Sequence, residues 1–269
     1  MRLGIVGGEG KMGRLFAPIF ERHVDKVITS LDPIETVKSC DIIVFSIPIE
    51  VTEKVIEELL PHIEERHLLM DFTSLKEGPC RAMMRSKGAV IGLHPLFGPS
   101  VSSIKGQTVI LCPLRPGKWL PWIRDLIKAE GAKEVEIEPK SHDEIMALVQ
   151  SLVHFCSLLF AETLRCQGVD PKELLKMATP VYKMQLHIAG RILSQSPELY
   201  KAIQFENPYF LSLLKSFEEA FKTLREIVEK KDAQRFETFF RTCQSFLGEE
   251  TLSEGQKMTN CFIETMKEN

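Results

Sequence analysis

A glycine-rich turn at the start of the chain is the first pattern that could do chemistry. Residues 8–13 read Gly-Glu-Gly-Lys-Met-Gly, which matches GxGxxG, and they stand between an apolar strand candidate and a helical stretch at Lys11–Arg22. That strand–turn–helix context is the one in which the motif binds a dinucleotide. Gly8 would permit the tight turn, Gly10 the approach of a pyrophosphate, and Gly13 close packing of the helix. The first-turn N–H groups of the helix would bind the phosphates.

An acidic residue about 20 positions beyond such a motif commonly binds the adenosine ribose. Asp32 follows the predicted strand Val27–Leu31 at that distance. The plainer alternative is that Asp32 only opens an Asp-Pro turn with Pro33, which aspartate does without any ligand. No arginine follows Asp32, and Glu35 adds negative charge that would repel the 2′-phosphate of NADP. The pattern therefore favours NAD, with NADP kept as the alternative.

A histidine in a proline-bounded segment is the second pattern. His94 opens the sequence His-Pro-Leu-Phe-Gly-Pro, directly after a predicted strand at Ala89–Leu93. A residue at the carboxyl end of a strand in an open α/β sheet faces the crevice where ligands bind, and histidine is the usual general base near neutral pH. A single histidine is more often structural, so the spacing by itself leaves both interpretations open.

The elements that must hold these residues change character near residue 140. Before it, short apolar runs such as Asp41–Ile47 and His67–Phe72 alternate with helical stretches such as Val51–Leu60. Strands that alternate with helices indicate βαβ units and a mainly parallel sheet. After residue 140 the strand signals stop and helices follow one another, the first predicted at Ile145–Cys166. We predict an α/β fold, with a Rossmann-type dinucleotide-binding domain over 1–140 and an all-helical substrate-binding and dimerisation domain over 141–269.

The composition narrows the class of protein. The hydrophobic fraction is 44%, the charged fraction 26% and the net charge -3, which is ordinary for a globular protein and lacks the basic surface that binds nucleic acid. No uninterrupted apolar run reaches the roughly 18 residues of a membrane span, and the start of the chain does not have the pattern of a signal peptide. Seven cysteines without a CxxC pair argue against a disulfide framework and a zinc site. We expect a cytoplasmic protein with free, mostly buried thiols and no metal.

Several segments together resemble a known family. Besides GGEGKMG and HPLFGP, the chain contains SIPIEVTEKVI at 46–56, DFTSLKEGP at 71–79, HD at 142–143, QSLVHF at 150–155 and TPVYKMQLHIAGRI at 179–192. In this order they resemble the prephenate dehydrogenases of tyrosine biosynthesis, closest to the dehydrogenase part of the bifunctional chorismate mutase–prephenate dehydrogenases. The resemblance implies NAD(P)-dependent oxidative decarboxylation of prephenate to 4-hydroxyphenylpyruvate by a homodimer joined through its helical domain. Because the given sequence starts directly at the predicted dinucleotide fold, we expect no mutase domain in this chain.

The resemblance also implies roles for individual residues. His94 matches the catalytic histidine that accepts the proton of the ring hydroxyl, and Ser74 matches a serine that hydrogen-bonds the same hydroxyl. Arg191 matches the arginine that binds the ring carboxylate. His154 matches a second active-site histidine that helps substrate binding, and Tyr200 matches a tyrosine near the substrate and effector pocket.

On the cofactor side, the resemblance adds Lys11 and Met12 of the glycine motif, and Ser46 and Pro48 of the SIPIE segment. One departure concerns Lys183, where the closest relatives carry arginine. Lysine keeps the charge but lacks the planar fork that holds a carboxylate with two hydrogen bonds, so the resemblance assigns Lys183 no role.

Each of these assignments has a structural alternative. His154 lies on an apolar helix, where histidine is often a core residue, and Arg191 could be a surface side chain beside a glycine. His142 and Asp143 could belong to a helix start, and Lys76 could face substrate or solvent.

Rival functions also remain at this stage. Arogenate dehydrogenase would place an acidic residue near the substrate ammonium, and Ser100 just past the HPLFGP segment is not acidic. A β-hydroxyacid dehydrogenase would carry a catalytic lysine on the first helix of its second domain, where this chain has His154. A nucleotide-sensing regulatory protein would not need His94 and Arg191 together.

Overall fold

The computed structural model describes residues 1–29 and 32–265. The chain divides into two compact units. The first contains Met1–Ser151 together with Pro197–Phe210, and the second contains Leu152–Ser196 together with the chain from Leu211 onward. The first unit therefore extends beyond residue 140, and it also includes a short helical segment, Pro197–Phe210, from the second half of the chain.

A seven-stranded sheet forms the centre of the first unit. Its strands lie in the order β2-β1-β3-β4-β5-β6-β7. Every neighbouring pair is parallel except β5 with β6, which is antiparallel. This mainly parallel, Rossmann-type sheet confirms the predicted fold class. The strands are β1 (Arg2–Val6), β2 (Lys26–Ile28), β3 (Ile42–Phe45), β4 (Leu68–Asp71), β5 (Ala89–Pro95), β6 (Thr108–Arg115) and β7 (Lys133–Glu136).

The central strands are apolar throughout because helices cover both faces of the sheet. Alternate side chains of a strand point to opposite faces, and they enter two separate apolar clusters. Ile42 and Val44 of β3 belong to one cluster, and Ile43 and Phe45 belong to the other. All four side chains are fully buried.

Twelve α-helices lie in the part of the chain that the structure describes. They are α1 (Lys11–Phe20), α2 (Pro33–Ser39), α3 (Ile49–Leu59), α4 (Glu77–Met84), α5 (Trp119–Ala129), α6 (Pro139–Met146), α7 (Val153–Cys166), α8 (Pro171–Lys176), α9 (Pro180–Leu193), α10 (Pro197–Phe205), α11 (Phe210–Lys230) and α12 (Ala233–Thr265). Helix α12 is bent at Gly248, whose φ is 76°. A 3-10 turn at Leu60–His62 follows α3, and a π-helical segment at Ala147–Leu152 separates α6 from α7.

Several local predictions need correction. The predicted strand Val27–Leu31 ends at Ile28, and residues 30 and 31 lie outside the described residues. Helices α2 and α4 were not predicted, because both are short and α4 carries Gly78-Pro79 in its first turn. The single helix predicted at Ile145–Cys166 is interrupted by the π-helical segment.

The second unit consists of helices. In it α7 packs against α9, and the aromatic pairs Phe155–Phe217 and Phe160–Tyr182 have ring centroids 5.7 and 6.0 Å apart. Many apolar side chains of this unit are exposed within one chain, and Phe246 is 87% exposed.

Two expectations about apolar burial are modified by the structure. By length and composition, one stretch among the described residues, Pro139–Cys166, could cross a membrane, but the buried core helix of a soluble protein passes the same test. The thiols are free but not mostly buried. Cys40, Cys80 and Cys112 are buried and Cys156 is half-buried, whereas Cys166, Cys243 and Cys261 are exposed.

Candidate active site

The glycine motif forms a cradle at the carboxyl ends of β1 and β3. Gly7 has a φ of 82°, and a Cβ atom on it would lie 2.5 Å from the Ser46 carbonyl oxygen. A Cβ on Gly13 would lie 2.5 Å from the carbonyl oxygen of Gly8, so α1 can approach the turn only because residue 13 is glycine. The left-handed residue of the turn is therefore Gly7 and not Gly8, to which the sequence assigned the tight turn.

The amino terminus of α1 opens onto this cradle. Gly10 is the N-cap residue and has no side chain to cap the first-turn N–H groups, and no acidic residue occupies the first turn. Lys11 is exposed, and Met12 packs against the apolar cluster that contains Ile42 and Val44. Unpaired N–H groups at a helix terminus and a surface without Cβ atoms fit a pyrophosphate. Ser46 follows β3, and Pro48 is the N-cap residue of α3.

Asp32 is exposed and caps α2. Its Oδ1 accepts hydrogen bonds from the backbone N–H groups of Ile34, at 2.9 Å, and Glu35, at 3.2 Å. The turn-forming role is thus present in the structure. A carboxylate can accept several hydrogen bonds, so the ribose contact stays a prediction.

His94 lies within β5 and not after it. The strand continues to Pro95, and His94 pairs with Ile110 of the antiparallel neighbour β6. The side chain is 2% exposed. The carbonyl oxygen of Leu93 accepts a hydrogen bond of 2.7 Å from Lys76 Nζ, which fixes the backbone next to the histidine.

A chain of hydrogen bonds connects His94 to a buried carboxylate. His94 Nδ1 lies 2.9 Å from His142 Nε2, and His142 Nδ1 lies 2.6 Å from Asp143 Oδ1. The two oxygens of Asp143 also accept the backbone N–H groups of Lys76 and Glu77, at 2.8 and 2.9 Å. Asp143 therefore caps the amino terminus of α4 while it binds His142.

This chain sets the tautomer of His94. A carboxylate only accepts, so His142 Nδ1 carries a proton and donates it to Asp143. The other nitrogen of neutral His142 then accepts, which requires a proton on His94 Nδ1. The remaining nitrogen, His94 Nε2, keeps its lone pair, and the Nε2 amide group of Gln150 lies 3.3 Å from it. A histidine held in this form is a competent general base.

Burial keeps both rings neutral. It is the main reason why the pKa of His94 lies well below the ordinary 6.5, with further lowering by His142 and by the Lys76 ammonium. Burial also lowers the pKa of His142, against the opposing effect of its hydrogen bond to Asp143. His94 is consequently ready to accept a proton at neutral pH.

A fully buried ion pair, Lys76–Asp71, lies next to the backbone that precedes His94. The Lys76 ammonium donates to Asp71 Oδ2, and both side chains have no exposed surface. Asp71 Oδ2 also accepts the backbone N–H of Thr73 at 3.0 Å. A buried charge pair of this kind is costly to break, because removal of one partner leaves the other charge unpaired. It holds the loop after β4 against β5.

Two other predicted residues lie in the first unit. Ser74 is half-buried in the loop between β4 and α4, and its hydroxyl makes no hydrogen bond to the residues that the structure describes. Tyr200 is half-buried on α10.

The remaining predicted residues belong to the second unit. His154 is half-buried on α7, and burial lowers its pKa to about 4. Arg191 is exposed in the last turn of α9, and its guanidinium forms no ion pair within the described part of the chain. It lines a cavity of about 810 Å³ between α7 and α9, together with Arg165 and His187. Lys183 is half-buried on α9.

Sequence reasoning left open or missed the residues around His94. For His142 and Asp143 the structural alternative was a role at the start of a helix. For Lys76 it was a side chain exposed to solvent. Gln150 was part of a quoted segment and carried no assignment. Two signals were available: the adjacent His-Asp pair is among the segments that resemble the family, and a carboxylate next to a histidine commonly fixes its tautomer.

Two family models together match most of the chain, from residue 22 to residue 242. The model described as "Prephenate dehydrogenase, nucleotide-binding domain" matches residues 22–136. The model described as "Prephenate dehydrogenase, dimerization domain" matches residues 138–242.

Individual relatives agree with these matches. A "Probable arogenate/prephenate dehydrogenase" of Methanocaldococcus jannaschii is 36% identical over 275 residues, which cover 93% of this chain and 62% of the relative. A "T-protein" of Enterobacter agglomerans is 33% identical over 251 residues, which cover 91% of this chain and 67% of the relative. This chain thus spans about two thirds of the length of these relatives.

Among solved structures, the fold is similar to prephenate dehydrogenase from Aquifex aeolicus in complex with hydroxyphenyl propionate and NAD+. The TM-score is 0.70 at 20% identity, and the likeness covers 100% of this chain and 98% of the other.

Proposed function

The chain belongs to the prephenate dehydrogenase family, and from that membership we propose that it oxidises and decarboxylates prephenate to 4-hydroxyphenylpyruvate with NAD, in tyrosine biosynthesis. The observation that carries the proposal is the chain Asp143–His142–His94, which leaves His94 Nε2 as a buried, neutral base. An alcohol that is to lose a hydride needs such a base for its proton.

The reaction defines what the protein has to supply. Prephenate carries a ring hydroxyl and, opposite it, a carboxylate and a pyruvyl arm. The hydroxyl proton goes to His94 Nε2 while the carbon beneath it loses a hydride. The bond to the ring carboxylate then breaks, carbon dioxide leaves, and the electron pair moves through the ring to the oxygen. That oxygen takes back a proton from His94, so the histidine ends as it began.

The relay of His142 and Asp143 acts through His94. When His94 accepts the proton it becomes a cation in a buried site, which is costly unless an opposite charge compensates it. The Asp143 carboxylate supplies that charge through His142. The same two residues keep His94 Nε2 free to accept at the start of the reaction.

The cradle around Gly7, Gly8, Gly10 and Gly13 supports a dinucleotide. When bound there, NAD would supply the nicotinamide ring that accepts the hydride. The first turn of α1 would bind the pyrophosphate, with Ser46 and Pro48 at the adjacent strand end. The Asp32 carboxylate is exposed beyond β2, and its charge would repel a 2′-phosphate, which favours NAD over NADP.

Substrate-binding roles follow from the family's motifs. Ser74 would hydrogen-bond the ring hydroxyl, and Arg191 would bind the ring carboxylate through two parallel hydrogen bonds. Its exposed guanidinium without an ion pair among the described residues agrees with that role. His154 and Tyr200 would contribute to substrate binding.

A second substrate is supported by one observation. The Methanocaldococcus jannaschii relative carries both arogenate and prephenate in its name. Arogenate differs by an amino group in place of the keto group of the side arm, and the chemistry at His94 would be the same.

One assay tests the proposal. The purified chain with NAD+ and prephenate should form NADH, followed by its absorbance, and His94→Asn should lower the turnover number by roughly 10²–10⁴. Arogenate in the same assay separates the two substrates. A chain that binds NAD+ but oxidises neither compound would contradict the proposal, as would a His94→Asn variant that keeps a third of the activity.

We further propose a cytoplasmic homodimer joined through the helical domain. The dimerization-domain match over residues 138–242 supports it, as do apolar side chains that are exposed in one chain, among them Leu159, Val181 and Phe246. Contiguous exposed apolar surface marks an interaction site. Light scattering should give twice the chain mass of 30.6 kDa, and a particle of the single-chain mass at micromolar concentration would refute the dimer.

A further inference from the structure

Besides His142, the side chain of Gln150 also contacts the His94 ring. Its Nε2 lies 3.3 Å from His94 Nε2, the nitrogen that faces the reaction in the proposed function. Gln150 lies in the π-helical segment Ala147–Leu152, within the first unit. Such segments inside helices are rare and occur frequently at functional sites.

The π-helical segment places Gln150 on the same side as His142. In a regular α-helix a residue seven positions after His142 lies within roughly 20° of it around the axis, and a residue eight positions after lies about 80° away. Val149 would then face His94. Instead Val149 is 54% exposed and Gln150 makes the contact. The π-helical turn contains one more residue than an α-helical turn. It therefore places the amide of Gln150 beside His94, where an α-helix would place the apolar side chain of Val149.

The relay also fixes which way the amide points. Because His94 Nε2 keeps its lone pair, it accepts, and the NH₂ group of Gln150 must be the one that faces it. The carbonyl oxygen Oε1 is then turned elsewhere. It is shielded from solvent and has no hydrogen-bond donor among the described residues. Buried acceptors without a donor are rare in folded proteins and need an explanation.

We propose that Gln150 is a catalytic residue whose amide N–H binds the ring oxygen of the substrate next to His94. The inference rests on the proposed function. A hydroxyl group that donates to His94 Nε2 places its oxygen beside that nitrogen, where the Gln150 NH₂ group is already held. The oxygen accepts one of the amide hydrogens while its own proton moves to His94.

The amide contact gains strength as the reaction proceeds. The ring oxygen receives the electron pair that the departing carboxylate leaves behind, and a donor aimed at developing negative charge stabilises the transition state more than the substrate. The orphaned Oε1 lies on the same planar amide group. The single O–H group of prephenate is directed at His94, so Oε1 needs a second donor in the complex, which water can supply.

The test compares two ligands that differ only in the ring oxygen. With NAD+ present, calorimetry gives the affinities of 3-(4-hydroxyphenyl)propionate and 3-phenylpropionate for the wild type, Gln150→Met and Gln150→Glu. The wild type should favour the hydroxylated ligand, and both variants should reduce that preference about tenfold, the effect of one hydrogen bond. The affinity for 3-phenylpropionate should change less than about twofold. Methionine keeps the length and glutamate keeps the shape, and neither has the amide donor.

Gln195→Met, a change at an exposed glutamine, is the matched control and should behave as the wild type. In turnover, Gln150→Met should lower kcat at least tenfold, toward the ~10²–10³ found for loss of one oxyanion donor. A preference for the hydroxylated ligand that survives in both variants would overturn the assignment. An equal loss of affinity for both ligands, in variants whose circular dichroism is unchanged, would also overturn the assignment. Activity of the wild type with prephenate in the same preparation separates these outcomes from a failure of the proposed function.

Discussion

The properties of His94 come from atoms that lie far from it in the chain. His142 and Gln150 are 48 and 56 residues away in sequence, yet each contacts one nitrogen of its ring. One partner fixes the proton on Nδ1 and the other faces the lone pair on Nε2. Burial removes the competing water, which makes each of these contacts stronger than it would be at the surface.

His142→Asn tests the relay at this scale. The variant loses the acceptor for His94 Nδ1–H, and kcat should fall roughly 10–100-fold, as expected for a hydrogen bond of about 1.5–3 kcal/mol to a group that becomes charged. KM should change much less.

The matched control is His187→Asn, a change at an exposed histidine of α9. It should leave both kcat and KM unchanged. A kcat of His142→Asn close to that of this control would show that His142 does not act on His94.

Arg191→Ala tests the substrate carboxylate. Loss of a charge-assisted hydrogen bond worth about 1.5–3 kcal/mol should raise KM for prephenate by roughly 10–100-fold, with a smaller effect on kcat. Arg165→Ala is the control in the same cavity, because Arg165 is already paired with Glu162. Steady-state kinetics decide the matter: an unchanged KM in Arg191→Ala, or an equal rise in both variants, rules out the specific role.

At the scale of elements, a segment from the second half of the chain secures the relay. Asn207 Nδ2 donates to the carbonyl oxygen of Asp143 at 2.9 Å, and Tyr209 OH donates to Glu77 at 2.7 Å. Asp143 in turn caps α4 through two backbone N–H groups. The loop after β4, α6 and the segment after α10 are therefore connected by hydrogen bonds around a single carboxylate.

Gly13→Ala tests the contact between α1 and the glycine turn. A Cβ at this position would lie 2.5 Å from a backbone oxygen, and overpacking of this kind costs about 1–3 kcal/mol. Both the free energy of unfolding and the affinity for NAD should fall. Gly255→Ala is the control, since a Cβ there meets nothing within 4 Å, and it should gain up to ~1 kcal/mol of stability. Urea unfolding measures the stability, and titration with NAD measures the affinity. A Gly13→Ala variant as stable as the wild type would show that the glycine turn can shift to make room for a Cβ atom.

At the scale of the whole molecule, the first unit buries several neutral histidines. Burial is the main cause that lowers the pKa of His67, His94 and His142 from the ordinary 6.5. In the unfolded chain these groups regain ordinary pKa values, so that below pH 6.5 the unfolded state binds more protons than the native state.

The first unit should therefore lose stability as the pH falls from about 6.5, with a slope of up to ~1.4 kcal/mol per pH unit for each histidine. Above pH 7 the contribution of these groups should be constant. The two tryptophans of the chain, Trp119 and Trp122, both lie in the first unit, so their fluorescence during denaturant unfolding reports on it. His67→Asn should make the slope shallower. Stability that rises on acidification through this range would falsify the neutral-histidine account.

The sequence by itself determined the fold class and singled out two candidate sites, the glycine motif and His94. Apolar strands such as β3 and β4 are recognisable because both of their faces are buried, which makes them apolar throughout. The glycine motif is recognisable because its turn and its close backbone contacts leave no room for a side chain. His94 stood out because a proline-bounded histidine follows a strand pattern. All of these signals depend on residues only a few positions apart.

Only the tertiary structure decided what surrounds His94. Strand order places β4 beside β5 and thereby brings Lys76 to Leu93, and the π-helical segment turns Gln150 rather than Val149 toward the ring. Asp143 could be read as part of a helix start, and it does cap a helix, although the helix is α4 and not its own. A hydrogen bond requires an atom at about 3 Å, and no local periodicity specifies which distant residue reaches that distance. For that reason the sequence could single out His94 as the candidate base but could not identify the residues that contact it.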